Sequence, residues 1–126
     1  MAGQKTIAVV IVAAGTGERM GGEPKQYRKL AGRPMLARTI GVFAQRRDVN
    51  WVLPVIHGDH GGLYEGLGIA YPNLLPPVVG ARTRQGSVLA GLEALVRFGP
   101  DLVLIQDGAR PLVEDTVIDG VLAALG

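Results

Sequence analysis

The strongest chemical signal in this 126-residue chain is a short loop rich in glycines and cations, within residues 15–25. Glycine lets backbone N–H groups turn inward and approach a ligand closely. Converging N–H groups beside positive side chains form an anion site, and polyphosphate is the anion that best fits them. The loop contains Gly15, Gly17, Arg19, Gly21, Gly22 and Lys25.

The spacing of this loop differs from two common phosphate-binding motifs. Met20 stands where a dinucleotide fingerprint has its third glycine, and Glu23 follows Gly22 where a Walker A loop has its lysine. Pro24 fixes its own φ and restricts Glu23, so Lys25 is held close to the loop. The alternative is a glycine-rich surface loop with solvated cations. The combination of a strand, glycines and a held lysine favours phosphate binding.

The elements that position this loop follow from apolar patterns. Residues 7–14 form an apolar run without alternation, which predicts a central strand of a parallel sheet covered on both faces. Apolar residues at helical spacing predict a helix over residues 35–45, with Pro34 at its first position. The next strand is predicted over residues 51–56, and Pro54 suggests that this strand lies at an edge or has a bulge.

Two further stretches place hydrogen-bonding and charged side chains at the ends of predicted elements. Residues 80–92 form a glycine-rich turn that leads into a helix, with Arg84 and Ser87 near the helix start. A solvated cation and a simple helix cap are the alternative interpretations of these two residues. Asp107 follows a predicted strand, residues 102–106, at the end where α/β folds bind ligands. Next to a triphosphate it would hold Mg²⁺, and its alternative role is to cap the following turn.

A polar loop over residues 57–62 contains His57, Asp59 and His60. These side chains suggest a metal cluster, but they lack the spacing of helical metal pairs, and the glycines favour a polar turn. The remaining predictions are a short helix over residues 63–67, a connector over residues 71–77, a strand over residues 78–79, a helix that ends near Phe98 before Gly99, and a final helix over residues 114–125.

Composition argues against several classes of function. The formal net charge is +2, with 13 basic and 11 acidic residues, which is too balanced to indicate nucleic-acid binding. The chain has no cysteine, so disulfides, thiol nucleophiles and cysteine-based metal sites are excluded. Its N-terminal apolar run is too short to cross a membrane and lacks a signal-peptide cleavage site. We therefore expect one globular, cytoplasmic domain.

The order of the predicted elements indicates the fold class. Strands and helices alternate along the chain, which is typical of an α/β fold with a mainly parallel sheet covered by helices on both faces. The loops that follow the strands then meet at one edge of the sheet. This edge therefore brings the three informative stretches together.

The first of these stretches resembles one enzyme family. Residues 13–20, Ala-Ala-Gly-Thr-Gly-Glu-Arg-Met, and residues 24–27, Pro-Lys-Gln-Tyr, are similar to the signature loop of nucleotidyltransferases. They most resemble the 2-C-methyl-D-erythritol 4-phosphate cytidylyltransferases of the non-mevalonate isoprenoid pathway. Residues 80–88 resemble the family pattern G-G-x-x-R-x-x-S-V, although Ala81 replaces its second glycine and Gly86 replaces a usual acidic residue.

The third stretch, residues 107–111, matches the family's D-A-A-R-P segment except at Gly108. The resemblance implies a Rossmann-like, three-layer nucleotidyltransferase fold and the transfer of CMP from CTP to 2-C-methyl-D-erythritol 4-phosphate, with pyrophosphate leaving. It implies that Lys25 and Arg19 stabilise phosphate charge and that Asp107 binds Mg²⁺. The implied nucleotide-binding residues are Ala13, Ala14, Gly15, Thr16, Gly17, Gly80, Arg84, Ser87 and Gly108.

The resemblance also implies how the chain is organised. It places residues 1–126 in the N-terminal, nucleotide-binding half of a cytidylyltransferase domain, whose other half supplies the polyol-phosphate pocket, a second metal carboxylate and a dimerisation arm. We therefore expect these residues alone to be inactive and the full-length protein to be a homodimer that binds neither nucleic acid nor membrane. Some relatives are fused to a later cyclase of the pathway. Two alternatives stay open: a cytidylyltransferase for another polyol phosphate such as ribitol 5-phosphate, and a non-catalytic nucleotide-binding module.

Overall fold

The computed structural model describes residues 5–15, 25–30 and 32–108. The helix predicted over residues 114–125 lies outside these ranges. In chain order the described strands and α-helices are β1 (Ile7–Ala13), β2 (Lys29–Leu30), β3 (Arg33–Pro34), α1 (Met35–Ala44), β4 (Trp51–Ile56), α2 (Gly61–Glu65), β5 (Val78–Val79), α3 (Arg84–Leu95) and β6 (Leu102–Asp107).

Parallel strands form the central sheet in the order β5, β4, β1, β6. Strand β1 lies between β4 and β6, and its residue Ala8 pairs with Trp51 on one side and Val103 on the other. Residues 8–11 of β1 are 0% exposed, which is the burial that an uninterrupted apolar run predicts. The parallel α/β fold is therefore confirmed.

Helices cover both faces of the sheet. Successive side chains of β1 point to opposite faces, so this apolar strand contributes to a core on each side. Val9 and Ile11 belong to one core cluster together with Ile40 of α1. Val10 belongs to a second cluster together with Leu95 of α3. The sheet is thus the middle of three layers, as the family resemblance implied.

Helix α1 begins at Met35 as predicted and ends close to its predicted limit, but the prediction that Pro34 occupies the first helical position is wrong. Pro34 is the residue before the helix, with φ −58° and ψ 141°, so it is extended and not helical. It pairs with Lys29 in an antiparallel hairpin of β2 and β3 that the apolar pattern did not indicate. The Met35 amide donates to the Arg28 carbonyl at 2.9 Å, so the hairpin holds the start of the helix.

Strand β4 has the predicted bounds, but the prediction of an edge position for Pro54 is wrong, because β4 lies between β1 and β5. The Val52 amide donates to the Asn73 carbonyl, and the Val52 carbonyl accepts from the Leu75 amide. In a parallel strand the backbone of Pro54 faces the same side as that of Val52. Strand β5 begins only at Val78, so the missing N–H of Pro54 falls where the pairing on that side is interrupted.

Helix α3 begins at a different cap from the one considered in the sequence. The Thr83 hydroxyl accepts from the Gly86 amide at 3.0 Å, so Thr83 and not Ser87 caps the helix. At the other end a 3₁₀ turn, Val96–Phe98, leads to Gly99 in the left-handed region at φ 59°. The predicted end of this helix is confirmed, because glycine adopts that conformation without strain.

Candidate functional site

An open cleft lies where the carboxyl ends of β1 and β6 meet the start of α3. Within the sheet, β4 lies beside β1 on one side and β6 lies beside β1 on the other. The strand order therefore reverses at β1. Open α/β sheets bind ligands in the crevice at such a reversal. The cleft has a volume of about 210 Å³ and is lined by Val12, Gly15, Ala81, Arg82, Thr83, Arg84, Ser87 and Asp107.

The turn that follows β1 is fixed by a buried side-chain amide. Gln26 is 5% exposed, and its Nε2 atom donates to the Ala13 carbonyl at 3.0 Å and to the Gly15 carbonyl at 2.9 Å. Gln26 lies in the 3₁₀ turn Lys25–Tyr27. Its side chain therefore ties together the two ends of the glycine-rich loop. The family motif contains this glutamine, but its position in the motif gives no sign of the bridge.

Gly80 brings the turn after β5 against the end of β1. A Cβ atom at position 80 would lie 2.5 Å from the Ala14 Cβ atom, 2.5 Å from Ser87 Oγ and 2.9 Å from Val55 Cγ1. Only glycine therefore fits unless the turn moves. The Gly80 amide donates to the Ile56 carbonyl at 2.9 Å, which continues the pairing beyond β4. Two predicted nucleotide-binding residues, Ala14 and Gly80, are thus in close contact.

Ser87 fixes the turn between β5 and α3, which forms one wall of the cleft. Its hydroxyl accepts from the Ala81 amide at 3.0 Å and donates to the Ala81 carbonyl at 3.1 Å. Ser87 is buried. One side chain therefore engages both backbone polar groups of Ala81, and this fixes the conformation of the turn before α3. Spacing alone could not separate this arrangement from helix capping.

Charged side chains of both signs line the cleft. Arg82 and Arg84 are exposed on its α3 side. Asp107 is the last residue of β6 and is also exposed. Guanidinium groups bind phosphate oxygens, and a carboxylate binds a hard divalent cation. The described part of the cleft can therefore bind an anion together with its metal ion.

Gly108 sets the position of Asp107 relative to β1. A Cβ atom at position 108 would lie 3.0 Å from the Ala13 Cβ atom and 3.1 Å from Leu36 Cδ1. Its amide donates to the Val12 carbonyl at 2.9 Å, which extends the pairing of β1 with β6. The absence of a side chain therefore lets the end of β6 lie close to both β1 and α1.

The structure gathers most of the predicted site residues at this edge of the sheet. Lys25 begins the 3₁₀ turn beside Gln26, but its side chain lies outside the described part of the chain, as do Thr16, Gly17 and Arg19. The residues brought together at or beside the cleft are Ala13, Ala14, Gly15, Gly80, Arg84, Ser87, Asp107 and Gly108.

The loop after β4 forms the predicted polar turn. His57 Nδ1 accepts from the Asp59 amide at 3.0 Å, and Gly58–His60 form a 3₁₀ turn. Helix α2 follows directly and so begins two residues earlier than predicted. Residues 5–15, 25–30 and 32–108 contain no group of three or more potential metal ligands. None of the described helices has the length and apolar character needed to span a membrane.

A parallel sheet with reversed strand order and a charged cleft at the carboxyl ends of its strands define an α/β protein of the Rossmann type. Residues 7–126 match the family model of IspD, 2-C-methyl-D-erythritol 4-phosphate cytidylyltransferase. The chain belongs to this family.

Similar proteins have the same family name and are longer. The chain is 49% identical over 120 residues to the bifunctional enzyme IspD/IspF of Rhodospirillum rubrum, a match that covers 94% of the chain and 31% of the relative. It is 46% identical over 125 residues to the bifunctional enzyme IspD/IspF of Bradyrhizobium diazoefficiens, covering 98% of the chain and again 31% of the relative. The chain therefore spans less than a third of the length of these relatives.

Solved structures of the family share the fold. The 4-diphosphocytidyl-2C-methyl-D-erythritol synthase of Anaerococcus prevotii matches with a TM-score of 0.79 at 28% identity, over 97% of this chain and 51% of that one. The 2-C-methyl-D-erythritol 4-phosphate cytidylyltransferase of Francisella tularensis matches with a TM-score of 0.75 at 26% identity, over 94% of this chain and 51% of that one. The nucleotidyltransferase fold implied by the sequence is thus confirmed.

Proposed function

We propose that the protein transfers CMP from CTP to 2-C-methyl-D-erythritol 4-phosphate, which gives 4-diphosphocytidyl-2-C-methyl-D-erythritol and pyrophosphate. The observation that carries this proposal is the meeting of three distant stretches at one cleft, in a chain of the cytidylyltransferase family. Gly15 follows β1, Arg84 begins α3 and Asp107 ends β6. Backbone amides, a guanidinium group and a carboxylate are the groups that a metal-bound nucleoside triphosphate requires.

The proposed reaction is a substitution at the α-phosphorus atom of CTP. A phosphate oxygen of the polyol phosphate attacks this atom, a new P–O bond forms, and the bond to pyrophosphate breaks. Such a transfer needs alignment and charge stabilisation more than a covalent nucleophile. In this mechanism the amides of residues 14–17 bind phosphate oxygens, and Lys25 and Arg19 stabilise the charge that develops on the α-phosphate and the leaving pyrophosphate.

In this mechanism the wall of the cleft formed by the start of α3 and the turn before it holds the nucleotide. Arg84 binds it directly, whereas Gly80 and Ser87 act on the turn that shapes the wall: Gly80 allows the close approach to β1, and Ser87 holds the backbone of Ala81. A rigid turn holds the bound nucleotide in one orientation, which the in-line attack requires.

Asp107 is proposed to bind a divalent metal ion, Mg²⁺. Its exposed carboxylate lines the same cleft as Gly15, and Mg²⁺ prefers one or two carboxylates together with phosphate oxygens and water. The donor set of the cleft therefore fits this ion. When bound, the ion neutralises part of the phosphate charge. Asp107 supplies the protein carboxylate that keeps it beside the loop after β1.

The proposal extends to the whole protein. Residues 1–126 would form the N-terminal, nucleotide-binding half of the cytidylyltransferase domain, and the protein would act as a homodimer in the cytoplasm. The match to 51% of the solved family structures supports this division. The described cleft itself supplies groups suited to one anionic substrate, so a pocket for the polyol phosphate is assigned to another part of the protein.

A pyrophosphate-release assay on the protein at its full natural length tests the function. CTP is offered with 2-C-methyl-D-erythritol 4-phosphate and, in parallel, with ribitol 5-phosphate. We expect release with the first substrate. Release with ribitol 5-phosphate alone would assign the protein to another polyol phosphate, and CTP binding without any release would indicate a nucleotide-binding module.

Lys25→Ala tests the proposed chemistry in the same assay. The loss of a cation that acts in the transition state should raise the activation free energy by about 2.7–4 kcal/mol, by analogy with the loss of one stabilising donor. Lys5→Ala is the matched control, because Lys5 is exposed and precedes the amino end of β1, at the opposite edge of the sheet. Near-normal turnover of Lys25→Ala would make this lysine a surface cation.

A further inference from the structure

We propose that Gln26 is a positioning residue, whose side chain orients the peptide bond between Ala13 and Ala14 so that the Ala14 N–H group faces the nucleotide. This inference rests on the proposed function, because it concerns the same cleft. Gln26 Nε2 donates to the carbonyls of Ala13 and Gly15 at 3.0 and 2.9 Å. Both acceptors are carbonyl oxygens, so only the NH₂ group of the side chain can make these bonds.

The planarity of the peptide bond converts the bond to Ala13 into an orientation of the next N–H group. The described chain has no cis peptide bond, so the Ala14 N–H points opposite to the Ala13 carbonyl and away from Gln26. In a parallel strand this N–H faces the same side as the Val12 carbonyl, which accepts from Gly108 at the end of β6. Asp107, the last residue of β6, lines the cleft, so the Ala14 amide faces the strand whose end borders the proposed nucleotide site.

Loss of the Gln26 amide would release these carbonyls. Gln26 is 5% exposed, and its contact with Ala13 is buried, so water replaces the lost donor only at a cost. A peptide that rotates towards another donor turns its oxygen to the cleft, where a partial negative charge repels phosphate. Removal of the amide should therefore weaken phosphate binding beyond its effect on stability.

Asn73 provides a matched control for an effect on stability alone. Its Nδ2 atom donates to the carbonyls of Ala44 and Val49, each at 3.1 Å, which is the same bridge between two carbonyls. It lies beside Val52 near the amino end of β4, whereas the cleft lies at the carboxyl ends of the strands. Gln26→Met and Asn73→Leu therefore each replace an amide that bridges two carbonyls with an apolar side chain of similar shape. The two sites lie at opposite ends of the strands.

The experiment measures CTP binding by calorimetry and unfolding in urea for the wild-type protein and both variants, at full natural length. Both variants should unfold at lower urea concentration than the wild type. Gln26→Met should also weaken CTP binding by about tenfold, equivalent to about 1.4 kcal/mol, and should weaken the binding of inorganic pyrophosphate by a similar factor. Asn73→Leu should leave both affinities unchanged. Equal CTP affinities of the two variants would overturn the proposal.

Gln26→Asn carries the test if Gln26→Met does not fold. It keeps an amide but shortens the side chain by one methylene, so the two carbonyls can no longer both be reached, and CTP affinity should fall. Wild-type affinity in this variant would overturn the proposal. A wild-type protein that binds CTP but releases no pyrophosphate with any polyol phosphate would instead overturn the proposed reaction, and the role of Gln26 in nucleotide binding would still be measurable.

Discussion

The two faces of the sheet are fixed by different means. On the α1 face, the side chains of Gln26, Thr39 and Asn73 donate to main-chain carbonyls. On the α3 face, Gly80 and Gly91 let the backbone approach so closely that an added Cβ atom would lie 2.5 and 2.8 Å from its nearest neighbour. One face is fixed mainly by hydrogen-bond donors and the other mainly by the absence of side chains.

This difference indicates which changes each face can tolerate. Where donors hold the backbone, the damaging change is the loss of a polar group, because buried carbonyls are left without a partner. Where glycines allow close approach, the damaging change is the addition of atoms, because a packed interior has no space for them. A glycine-to-alanine substitution therefore distinguishes the two faces.

Gly80→Ala should have the largest effect on stability. Its new Cβ atom would meet Ala14, Ser87 and Val55 within 2.9 Å, so the turn between β5 and α3 must move. We expect the free energy of unfolding to fall by about 3 kcal/mol and CTP binding to weaken with it, measured by urea denaturation and calorimetry. Gly61→Ala is the control, because nothing lies within 4 Å of its Cβ position. If Gly80→Ala were as stable as the wild type, close approach at glycine positions would not explain how the α3 face is fixed.

Gly91→Ala and Gly41→Ala place the same substitution on the two opposing helices. At position 91 the Cβ atom would lie 2.8 Å from Val10 Cγ1 in the sheet, whereas at position 41 it meets only the end of the Tyr71 side chain, at 3.0 Å. Gly91→Ala should destabilise the protein by about 2 kcal/mol. Gly41→Ala should stay within about 1 kcal/mol of wild type, because the gain in helix propensity offsets a small shift of Tyr71. Equal losses in urea denaturation would show that the faces do not differ.

Ala81 and Gly86 should behave as a coupled pair. These are the two departures from the family pattern of residues 80–88, and a Cβ atom at position 86 would lie 2.7 Å from the Ala81 Cβ atom. Gly86→Ala alone should therefore destabilise the turn, and adding Ala81→Gly should recover part of the loss. We expect a coupling free energy of about 1 kcal/mol in the double-mutant cycle. Additive effects would mean that the two departures are independent.

Tyr27→Phe should have the smallest effect at neutral pH and a distinct effect at high pH. Burial raises the pKa of Tyr27 from 10.0 to about 12, with a smaller contribution from Tyr64. Because the pKa of Tyr27 is raised in the folded state, the contribution of its neutral side chain to stability is complete below pH 10.0. This contribution is lost as the pH rises through about 12. The Tyr27 hydroxyl has no hydrogen-bond partner among the described residues, so its removal should change stability at neutral pH by less than about 1 kcal/mol.

The measurement is the urea midpoint of the wild type and Tyr27→Phe across the alkaline range. The variant should lose less stability than the wild type between neutral and alkaline pH. Tyr64→Phe is the comparison, because burial also raises the pKa of Tyr64 to about 12. Parallel pH profiles of Tyr27→Phe and the wild type would show that Tyr27 ionises as easily in the folded state as in the unfolded chain.

Local sequence signals were sufficient to predict the α/β fold and the meeting of the three informative stretches. The run of residues 7–14 is apolar at every position, which is typical of a strand buried on both faces. Strands Trp51–Ile56 and Val78–Val79 have the bounds predicted from their apolar composition. Parallel strands place their carboxyl ends at one edge of a sheet, so the position of the loops followed from the order of the elements.

The roles of individual polar and proline residues depended on long-range contacts. Ser87 bonds to the backbone of Ala81, while Thr83 caps α3, and serine and threonine are both favoured as caps by sequence. Pro54 is tolerated in an interior strand because the pairing of β4 with β5 is interrupted beside it. Gln26 bonds to Ala13 only because the loop returns to the end of β1. Spacing along the chain fixes none of these distances, since each joins elements that tertiary packing alone brings together.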